Sequence, residues 1–305
     1  MRERESEYTW ERRRGAALEE MPVLAAPLLD ALIDRALEED LAGGDLTTEA
    51  CVEASARATA KAVARKPLVA CGGAVFLRVF QRLDPAVEGE VLVEDGTAVE
   101  TGAVIWAVRG PARTLLSAER TALNFAQRMS GVATEARRYA AAIPAGSGVR
   151  ITDTRKTTPG LRALERYAVR VGGAHNHRDN LGSAVMIKDN HIVAAGGISI
   201  AIARARARAP HTTKIEVEVA SLKELDEALS ARADIIMLDN FTLDDVKIAA
   251  ARARSGQHGR PLLEVSGGIT LERIPELAAA GIDVISVGAL THSARSADIA
   301  LDLAL

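Results

Sequence analysis

The amino-acid sequence predicts an α/β protein with two domains: an antiparallel sheet flanked by helices, followed by a parallel sheet. Three observations support this fold class. The chain of 305 residues is longer than the roughly 100–200 residues of one domain. Glycine-punctuated hairpin patterns occupy the first half. Beyond residue 148, short β-branched segments alternate with helical ones, which is typical of a parallel sheet.

The composition is that of a globular protein and excludes several functional classes. Hydrophobic residues make up 48% and charged residues 26% of the chain, which excludes general disorder. A net charge of −3 and an aromatic content of 3% argue against nucleic-acid binding. The sequence contains no run of 18 apolar residues, so it predicts no membrane-spanning helix. Cys51 and Cys71 lack metal-site spacing and are interpreted as buried thiols of a cytoplasmic protein.

The first half begins with a charged segment and continues into helices and hairpins. Residues 1–23 are predicted to form a disordered tail, because they are highly charged and lack apolar periodicity. Residues 28–43 have a helical pattern, and hairpins follow within 58–110. The apolar spacing of residues 113–131 predicts a helix that ends at Gly131 and connects the two domains.

Six strands are predicted in the second half, each followed by a helical segment. Six units are few for an eight-stranded barrel, so this pattern leaves two architectures open, an incomplete barrel and an open doubly wound sheet. The predicted strands are residues 149–153, 184–188, 214–219, 234–239, 262–266 and 283–288.

Each predicted strand ends at a polar residue or at glycine. The carboxyl ends of parallel strands meet at one edge of a sheet, where ligands bind. We therefore expect the strand-end residues to lie close together, although they are far apart in sequence. They are Asp153 to Lys156, Lys188, Glu218, Asp239, Ser266 to Gly268, and Gly288.

Opposite charges are concentrated in different parts of this half. Residues 150–192 hold eight basic and four acidic side chains, whereas residues 213–245 hold three basic and nine acidic ones. Two cations roughly 5 Å apart repel by about 3 kcal/mol at an effective dielectric constant of 20. Converging cations would therefore need a bound anion or paired carboxylates.

Glycine turns and alternating acids indicate further binding groups. Bare backbone at Ser266-Gly267-Gly268 and at Gly288 is typical of turns that hold phosphate. Glu216 and Glu218 share one face of their strand, which suits a magnesium-bound or hydroxyl-rich ligand. In the KDNH segment, His191 is interpreted as an orienting or capping residue.

Several long motifs together closely resemble the quinolinate phosphoribosyltransferase family. The resemblance extends from about residue 24 to the C-terminus. It implies an N-terminal α/β sandwich domain at 24–134, an incomplete six-stranded α/β barrel at 135–292 and a C-terminal helix at 293–305. The motifs are EDLAGGDLTTEA (39–50), ERTALNFAQRMSGVAT (119–134), DTRKTTPGLRALERYAVRVGGAHNHRDNL (153–181), AVMIKDNHI (184–192), IEVEVASLKEL (215–225), IIMLDNF (235–241), EVSGGI (264–269) and ISVGALTHSA (285–294).

The resemblance also implies a reaction. The family transfers the phosphoribosyl group of 5-phosphoribosyl 1-diphosphate to quinolinate with Mg²⁺, releasing diphosphate and CO₂ and forming nicotinate mononucleotide for NAD synthesis. It also implies a head-to-tail homodimer with shared active sites, in which Arg120 comes from the partner subunit. No organic cofactor is expected, because the ribosylated ring nitrogen accepts the electrons that decarboxylation releases.

Site roles follow from the resemblance, residue by residue. The quinolinate contacts would be Arg120, Thr154, Arg155, Lys156, His177, Arg178 and Lys188. The phosphoribosyl and phosphate contacts would be Glu218, Asp239, Ser266, Gly267, Gly268 and Gly288. The catalytic candidates are Lys156, Lys188, Glu218 and Asp239, with Mg²⁺ near the last two and the diphosphate, and with no direct metal ligand assigned.

Three alternatives remain open at this point. A paralogue associated with molybdenum-transport operons has the same fold and would use a different acceptor. A lyase could form a Schiff base at Lys188. A metabolite-binding protein would carry the same cations without catalysis.

Overall fold

The computed structural model describes residues 24–255 and 260–304. In it the chain forms two compact units. The first contains the described residues up to Gly131 and those from Ser296 onward, and the second extends from Val132 to Arg295. The division lies within about one helical turn of the domain boundary predicted after residue 134. The predicted tail, residues 1–23, lies outside the described residues.

An antiparallel sheet forms the centre of the first unit. Its strand order is β12-β1-β5-β3, and β2 and β4 form a separate two-stranded sheet. The predicted antiparallel pairing is confirmed, but the predicted hairpins are wrong, because no strands consecutive in sequence pair with each other among the described residues of this unit. The strands are β1 (Arg57–Ala64), β2 (Leu68–Val69), β3 (Glu88–Val91), β4 (Ala98–Val99), β5 (Val104–Pro111) and β12 (Ile299–Ala304).

Three helices complete this unit: α1 (Ala26–Leu41), α2 (Leu46–Cys51) and α3 (Gly73–Leu83). The Asp45 carboxylate accepts a hydrogen bond from Thr48 N–H at 2.9 Å, which caps the N-terminus of α2. Phe76 and Phe80 of α3 are fully buried, and the Phe76 ring lies 5.2 Å from the ring of Trp106 on β5. These large rings fix α3 against the sheet.

Helix α4 (Ala112–Ala141) crosses the division between the two units. The prediction that this helix ends at Gly131 is wrong, because it continues for ten more residues. A glycine inside a helix costs only about 1 kcal/mol. Val132, Ala133 and Ala136 are completely buried beyond it, so their packing outweighs that cost.

A six-stranded parallel sheet forms the centre of the second unit, in the order β6-β11-β10-β9-β8-β7. All six predicted strands are present. Within the described residues β6 and β7 are the two edges and do not pair, so the barrel is incomplete, as the family resemblance implies. The strands are β6 (Arg150–Thr152), β7 (Val185–Ile187), β8 (Ile215–Val219), β9 (Ile235–Asp239), β10 (Leu262–Ser266) and β11 (Val284–Ser286).

Helices alternate with these strands, as predicted. Ser221 and Thr242 accept hydrogen bonds from backbone N–H groups of Glu224 and Asp245, so each caps the helix that follows it. The helices are α5 (Arg162–Val171), α6 (Asp189–Ala195), α7 (Ile198–Arg208), α8 (Leu222–Ser230), α9 (Leu243–Arg254), α10 (Ile274–Ala279) and α11 (Ala289–His292).

The two faces of the parallel sheet differ in chemistry. Val217, Ile236 and Leu263 are completely buried and share one face through register pairing of β8, β9 and β10. The opposite face carries Glu216, Glu218 and Glu264 on the same strands. Aliphatic packing therefore stabilises one face, and the other is free to carry polar groups.

The predicted C-terminal helix at 293–305 is wrong, because residues 299–304 form strand β12. Alanine and leucine favour a helix in this segment, but helix propensity is a weak preference that tertiary context overrides. Here β12 pairs antiparallel with β1, with Ile299 opposite Ala64, and Asp302 forms an ion pair with Arg65. The chain end thus returns to the sheet of the first unit.

None of the described helices is both long enough and apolar enough to cross a membrane.

Candidate active site

A cavity of about 570 Å³ lies at the carboxyl ends of the parallel strands. All but two of the residues predicted to form the site line it. They are Thr154, Arg155, Lys156, His177, Arg178, Lys188, Glu218, Asp239, Ser266, Gly267 and Gly268. The cavity is therefore lined by residues from the ends of all the predicted strands except the last. That strand, β11, lines the cavity with Ser286 instead of the predicted Gly288.

The remaining two predicted residues, Gly288 and Arg120, are not among the residues that line this cavity. Gly288 follows β11, and a Cβ at its position would lie 3.3 Å from Lys156 Cδ, so it borders the cavity beside that lysine. Arg120 is exposed on α4 in the first unit, where it lines a different cavity with Asp45 and Ser117.

The cations of the cavity differ in how they are neutralised. Lys188 Nζ lies 2.7 Å from a carboxylate oxygen of Glu218. In the described part of the chain, no carboxylate lies within ion-pair distance of Arg155, Lys156 or Arg178. The Nε groups of both arginines are buried and have no hydrogen-bond partner among the described residues. Such N–H groups are costly to leave unpaired, so they favour an anionic ligand.

Electrostatic repulsion between the two arginines is also evident. Burial is the main cause that lowers the pKa of Arg178, and the nearby charge of Arg155 lowers it further. The negative charge of Glu216 offsets this lowering only in part. A ligand with two carboxylates would relieve this repulsion and satisfy both guanidinium groups, whose planar geometry suits carboxylates.

A buried aspartate fixes the loop that carries His177 and Arg178. Asp153 is completely buried and accepts hydrogen bonds at 2.7 Å from both His177 N–H and Asn176 Nδ2. Burial raises the pKa of Asp153, although these hydrogen bonds and Arg166 oppose the shift. Arg166 also donates to the carbonyl of His177 at 2.8 Å. The loop is thus held to the end of β6 through its backbone.

His177 is bound on both sides of its ring. Its Nδ1 accepts a hydrogen bond from Arg178 N–H at 2.7 Å, and its Nε2 lies 3.3 Å from Glu216 and 3.5 Å from Glu264. Burial lowers the pKa of His177, but the hydrogen bonds and charges of the two glutamates outweigh this effect and raise it to about 10. The hydrogen bond that Nδ1 accepts from Arg178 N–H requires this nitrogen to be unprotonated, so it opposes the rise in pKa and leaves the ring proton on Nε2, facing the glutamates.

Acidic and glycine-rich segments form the other side of the cavity. Asp239 accepts a hydrogen bond from Asn240 Nδ2 at 2.8 Å. Asn240 has a φ of 57°, an uncommon conformation for a residue with a side chain. Gly267 has a φ of 90°, and a Cβ there would clash with Asn240 Oδ1. The glycine turn and the loop after β9 are therefore closely packed.

Lys188 and His191 form the turn that leads into α6. Lys188 N–H donates to His191 Nδ1 at 2.9 Å, so the interpretation of His191 as a capping residue is confirmed. This cap fixes the backbone of Lys188 at the end of β7.

Sequence reasoning missed Met186, Met237, Asn240 and Ser286 among the residues that line the cavity, and it assigned no role to Glu264 below it. A signal for the methionines was available. Met186 and Met237 each precede a predicted strand-end residue by two positions, and side chains two apart share a face of a strand.

The matching family models are Quinolinate phosphoribosyl transferase, N-terminal domain, over residues 45–130, and Quinolinate phosphoribosyl transferase, C-terminal domain, over residues 132–302. The chain is 46% identical to a nicotinate-nucleotide pyrophosphorylase (carboxylating) of Mycobacterium leprae, covering 89% of this chain and 95% of that one. The human protein of that name is 41% identical, with coverage of 93% and 95%. The crystal structure of NadC from Streptococcus pyogenes superposes with a TM-score of 0.86 at 40% identity, covering 92% and 98% of the two chains.

Proposed function

The chain belongs to the quinolinate phosphoribosyltransferase family, and we propose that the cavity of the parallel sheet is its active site. The enzyme is a pentosyltransferase that transfers the phosphoribosyl group of 5-phosphoribosyl 1-diphosphate to quinolinate. The products are nicotinate mononucleotide, CO₂ and diphosphate. The relatives reported above give no support to a different acceptor.

One observation carries the assignment of the cavity: Arg155 and Arg178 both line it, and neither forms an ion pair with a carboxylate of the described residues. Quinolinate has two adjacent carboxylates, so it supplies two anionic groups for two guanidinium groups. Each charged hydrogen bond contributes roughly 1.5–3 kcal/mol. Thr154 and Lys156 are further contacts beside them.

The order of bond changes follows from the chemistry of the ring. The ring nitrogen attacks C1 of the ribose, and the bond from C1 to diphosphate breaks. The nitrogen then carries a positive charge, so it accepts the electron pair released when the adjacent carboxylate leaves as CO₂. Ring carbon 2 finally takes a proton. Lys156, which is exposed at the cavity, and Lys188 are the candidate donors for that proton.

The acidic side of the cavity fits Mg²⁺. Carboxylate oxygens are the ligands that magnesium prefers, and Asp239 and Glu218 both line the cavity. Glu218 already pairs with Lys188, whereas Asp239 has no ion pair within the described residues. We propose that Asp239 and the diphosphate hold Mg²⁺, which would neutralise charge on the leaving group. Glu218 would contact the ribose hydroxyls, and the backbone at Ser266 to Gly268 would hold the 5-phosphate.

A Schiff-base mechanism at Lys188 fits the geometry poorly. Lys188 Nζ is already engaged by a carboxylate oxygen of Glu218 at 2.7 Å, and the neighbouring Arg155 and Arg178 suit carboxylates, which a carbonyl substrate does not need. Borohydride treatment in the presence of substrate should therefore trap no covalent adduct.

The direct test combines the protein, quinolinate labelled in its 2-carboxylate, 5-phosphoribosyl 1-diphosphate and Mg²⁺. Nicotinate mononucleotide and labelled CO₂ should form in equal amounts. Lys156→Ala should abolish turnover and leave the melting temperature unchanged. Absence of both products at high wild-type concentration would refute the proposal.

We also propose a cytoplasmic homodimer in which Arg120 reaches the active site of the partner. Two features support this. Arg120 is exposed on α4. Leu46 lines the cavity of the first unit that Arg120 also lines, and it is 79% exposed and offers apolar surface. Both cysteines are free thiols, which is typical of a reducing compartment. Cys71 is buried as predicted, whereas Cys51 is exposed, so the prediction of burial is wrong for Cys51.

Subunit mixing tests the shared site. Arg120→Ala and Lys156→Ala should each be inactive alone. In a mixed population, one site of each heterodimer is free of both changes, so activity should recover to about a quarter of the wild-type value. No recovery after verified subunit exchange would contradict a shared site.

A further inference from the structure

Two buried glutamates beneath the cavity have no part in the proposed function. Glu216 on β8 and Glu264 on β10 are each 3% exposed, and they lie on the polar face of the sheet. Burying a carboxylate is unfavourable unless it is paired and hydrogen-bonded. A stable fold alone would be better served by aliphatic side chains here, so this pair needs an explanation.

Both carboxylates converge on one atom of His177. Nε2 lies 3.3 Å from Glu216 and 3.5 Å from Glu264, and the Glu264 Oε1 atom has no other partner among the described residues. On the other side of the ring, Nδ1 accepts from the backbone N–H of Arg178 at 2.7 Å. Both nitrogens are therefore engaged within the protein, and the ring connects the two glutamates to the backbone of Arg178.

The same connection reaches the arginine side chain. Arg178 Nη1 donates to the carbonyl of Ala184 at 3.2 Å, and Arg178 also lines the cavity. The side chain is thus fixed at its base by His177 and at its tip by Ala184. A displacement of the His177 ring would move the base and misdirect the guanidinium group.

We propose that Glu216 and Glu264 are positioning residues of the quinolinate pocket, which hold His177 by Nε2 and thereby set Arg178 against the diacid. This inference rests on the proposed function of the cavity. It gives His177 a supporting role, in place of a hydrogen bond from the ring to the substrate.

Steady-state kinetics of Glu216→Gln and Glu264→Gln test the proposal. The KM for quinolinate and the inhibition constant of phthalate should both rise about tenfold, because each ligand carries the adjacent carboxylates that Arg178 binds. The KM for 5-phosphoribosyl 1-diphosphate should change by less than about twofold, because its contacts lie on the other side of the cavity.

Asp283→Asn is the matched control. Asp283 is a partly buried carboxylate at the amino end of β11, and it accepts from the N–H of Leu263, the residue that precedes Glu264 on β10. This variant should lower the melting temperature and leave both KM values unchanged. If the glutamate variants behave in the same way, their role is structural and the proposal is overturned.

A double-mutant cycle tests whether Glu216 acts through His177. The side chain introduced by His177→Asn retains a hydrogen-bond acceptor near the position of Nδ1 but lacks the Nε2 group that contacts the two glutamates. In this background, Glu216→Gln should change the KM for quinolinate by less than about twofold, because the connection is already broken. A full tenfold rise there would show that Glu216 acts independently of His177.

Two further outcomes are decisive. The ligand atoms of His177, Glu216 and Glu264 lie within 4.8 Å of one another, so stoichiometric metal in purified wild-type protein that is lost in Glu264→Gln would overturn the proposal in favour of a metal site. Wild-type protein that forms no nicotinate mononucleotide would refute the proposed function. Turnover without the KM difference would refute only the positioning role.

Discussion

The two ends of the six parallel strands are built differently. At the carboxyl ends, the buried Nε groups of Arg155 and Arg178 have no hydrogen-bond partner among the described residues. At the amino ends, carboxylates satisfy the backbone: Asp234 accepts from Ile215 N–H and Asp283 from Leu263 N–H, both at 2.8 Å. Arg260 also donates to Asp283 at 2.9 Å.

This difference separates stability from activity within one sheet. Satisfied hydrogen bonds at the amino ends stabilise the folded state, whereas unpaired cations at the carboxyl ends destabilise it until a ligand binds. Substitutions at one end should therefore change turnover, and those at the other should change the melting temperature.

The largest expected effect is that of Arg155→Ala. Loss of charged hydrogen bonds to the diacid, about 3 kcal/mol, should reduce kcat/KM by roughly 100-fold or more. The melting temperature without ligand should not fall, because the substitution removes repulsion with Arg178. A large drop in melting temperature would show that Arg155 stabilises the fold, and the contrast between the ends would fail.

Two glycines with similar backbone conformations allow a matched comparison. Gly267 and Gly281 have φ values of 90° and 89°, one at each end of the sheet. Alanine at 267 would clash with Asn240 and should raise the KM for 5-phosphoribosyl 1-diphosphate about tenfold. Alanine at 281 would meet only the movable end of Arg254 and should lower the melting temperature alone. Equal kinetic effects would contradict the separation.

A moderate effect is expected for Asp234→Asn at the amino ends. The neutral side chain accepts more weakly from Ile215 N–H, which should cost about 1 kcal/mol of folding free energy. Thermal denaturation should show a melting temperature about 2–4 °C lower. Steady-state rates should equal those of wild type, and slower turnover would place a functional role at this end.

A further effect is expected in the dependence of stability on pH. The pKa of His177 is raised to about 10 from its ordinary 6.5, so the stabilisation that its proton provides is complete below pH 6.5 and is lost as the pH rises through 10. The melting temperature should fall more steeply between pH 7 and 10 in wild type than in His177→Gln. Parallel curves would show that the glutamates do not hold this proton.

Much of the architecture could be predicted from local sequence. The alternation of strands and helices gave the parallel sheet, and period-two patterns placed Glu216 and Glu218 on one face. Polar strand ends indicated the cavity edge, because parallel strands bring their carboxyl ends together. The path of α4 through Gly131 was missed, since burial of the residues beyond it is not visible locally.

Sequence alone therefore determined the order of the elements and the chemical types available at one edge of the sheet, because both depend on short-range periodicity. Only the tertiary structure decided that the C-terminal segment is β12, paired with β1, and that His177 meets Glu216, 39 positions away, and Glu264. The physical reason is that strand pairing and burial of charge depend on contacts between distant segments, which no local pattern encodes.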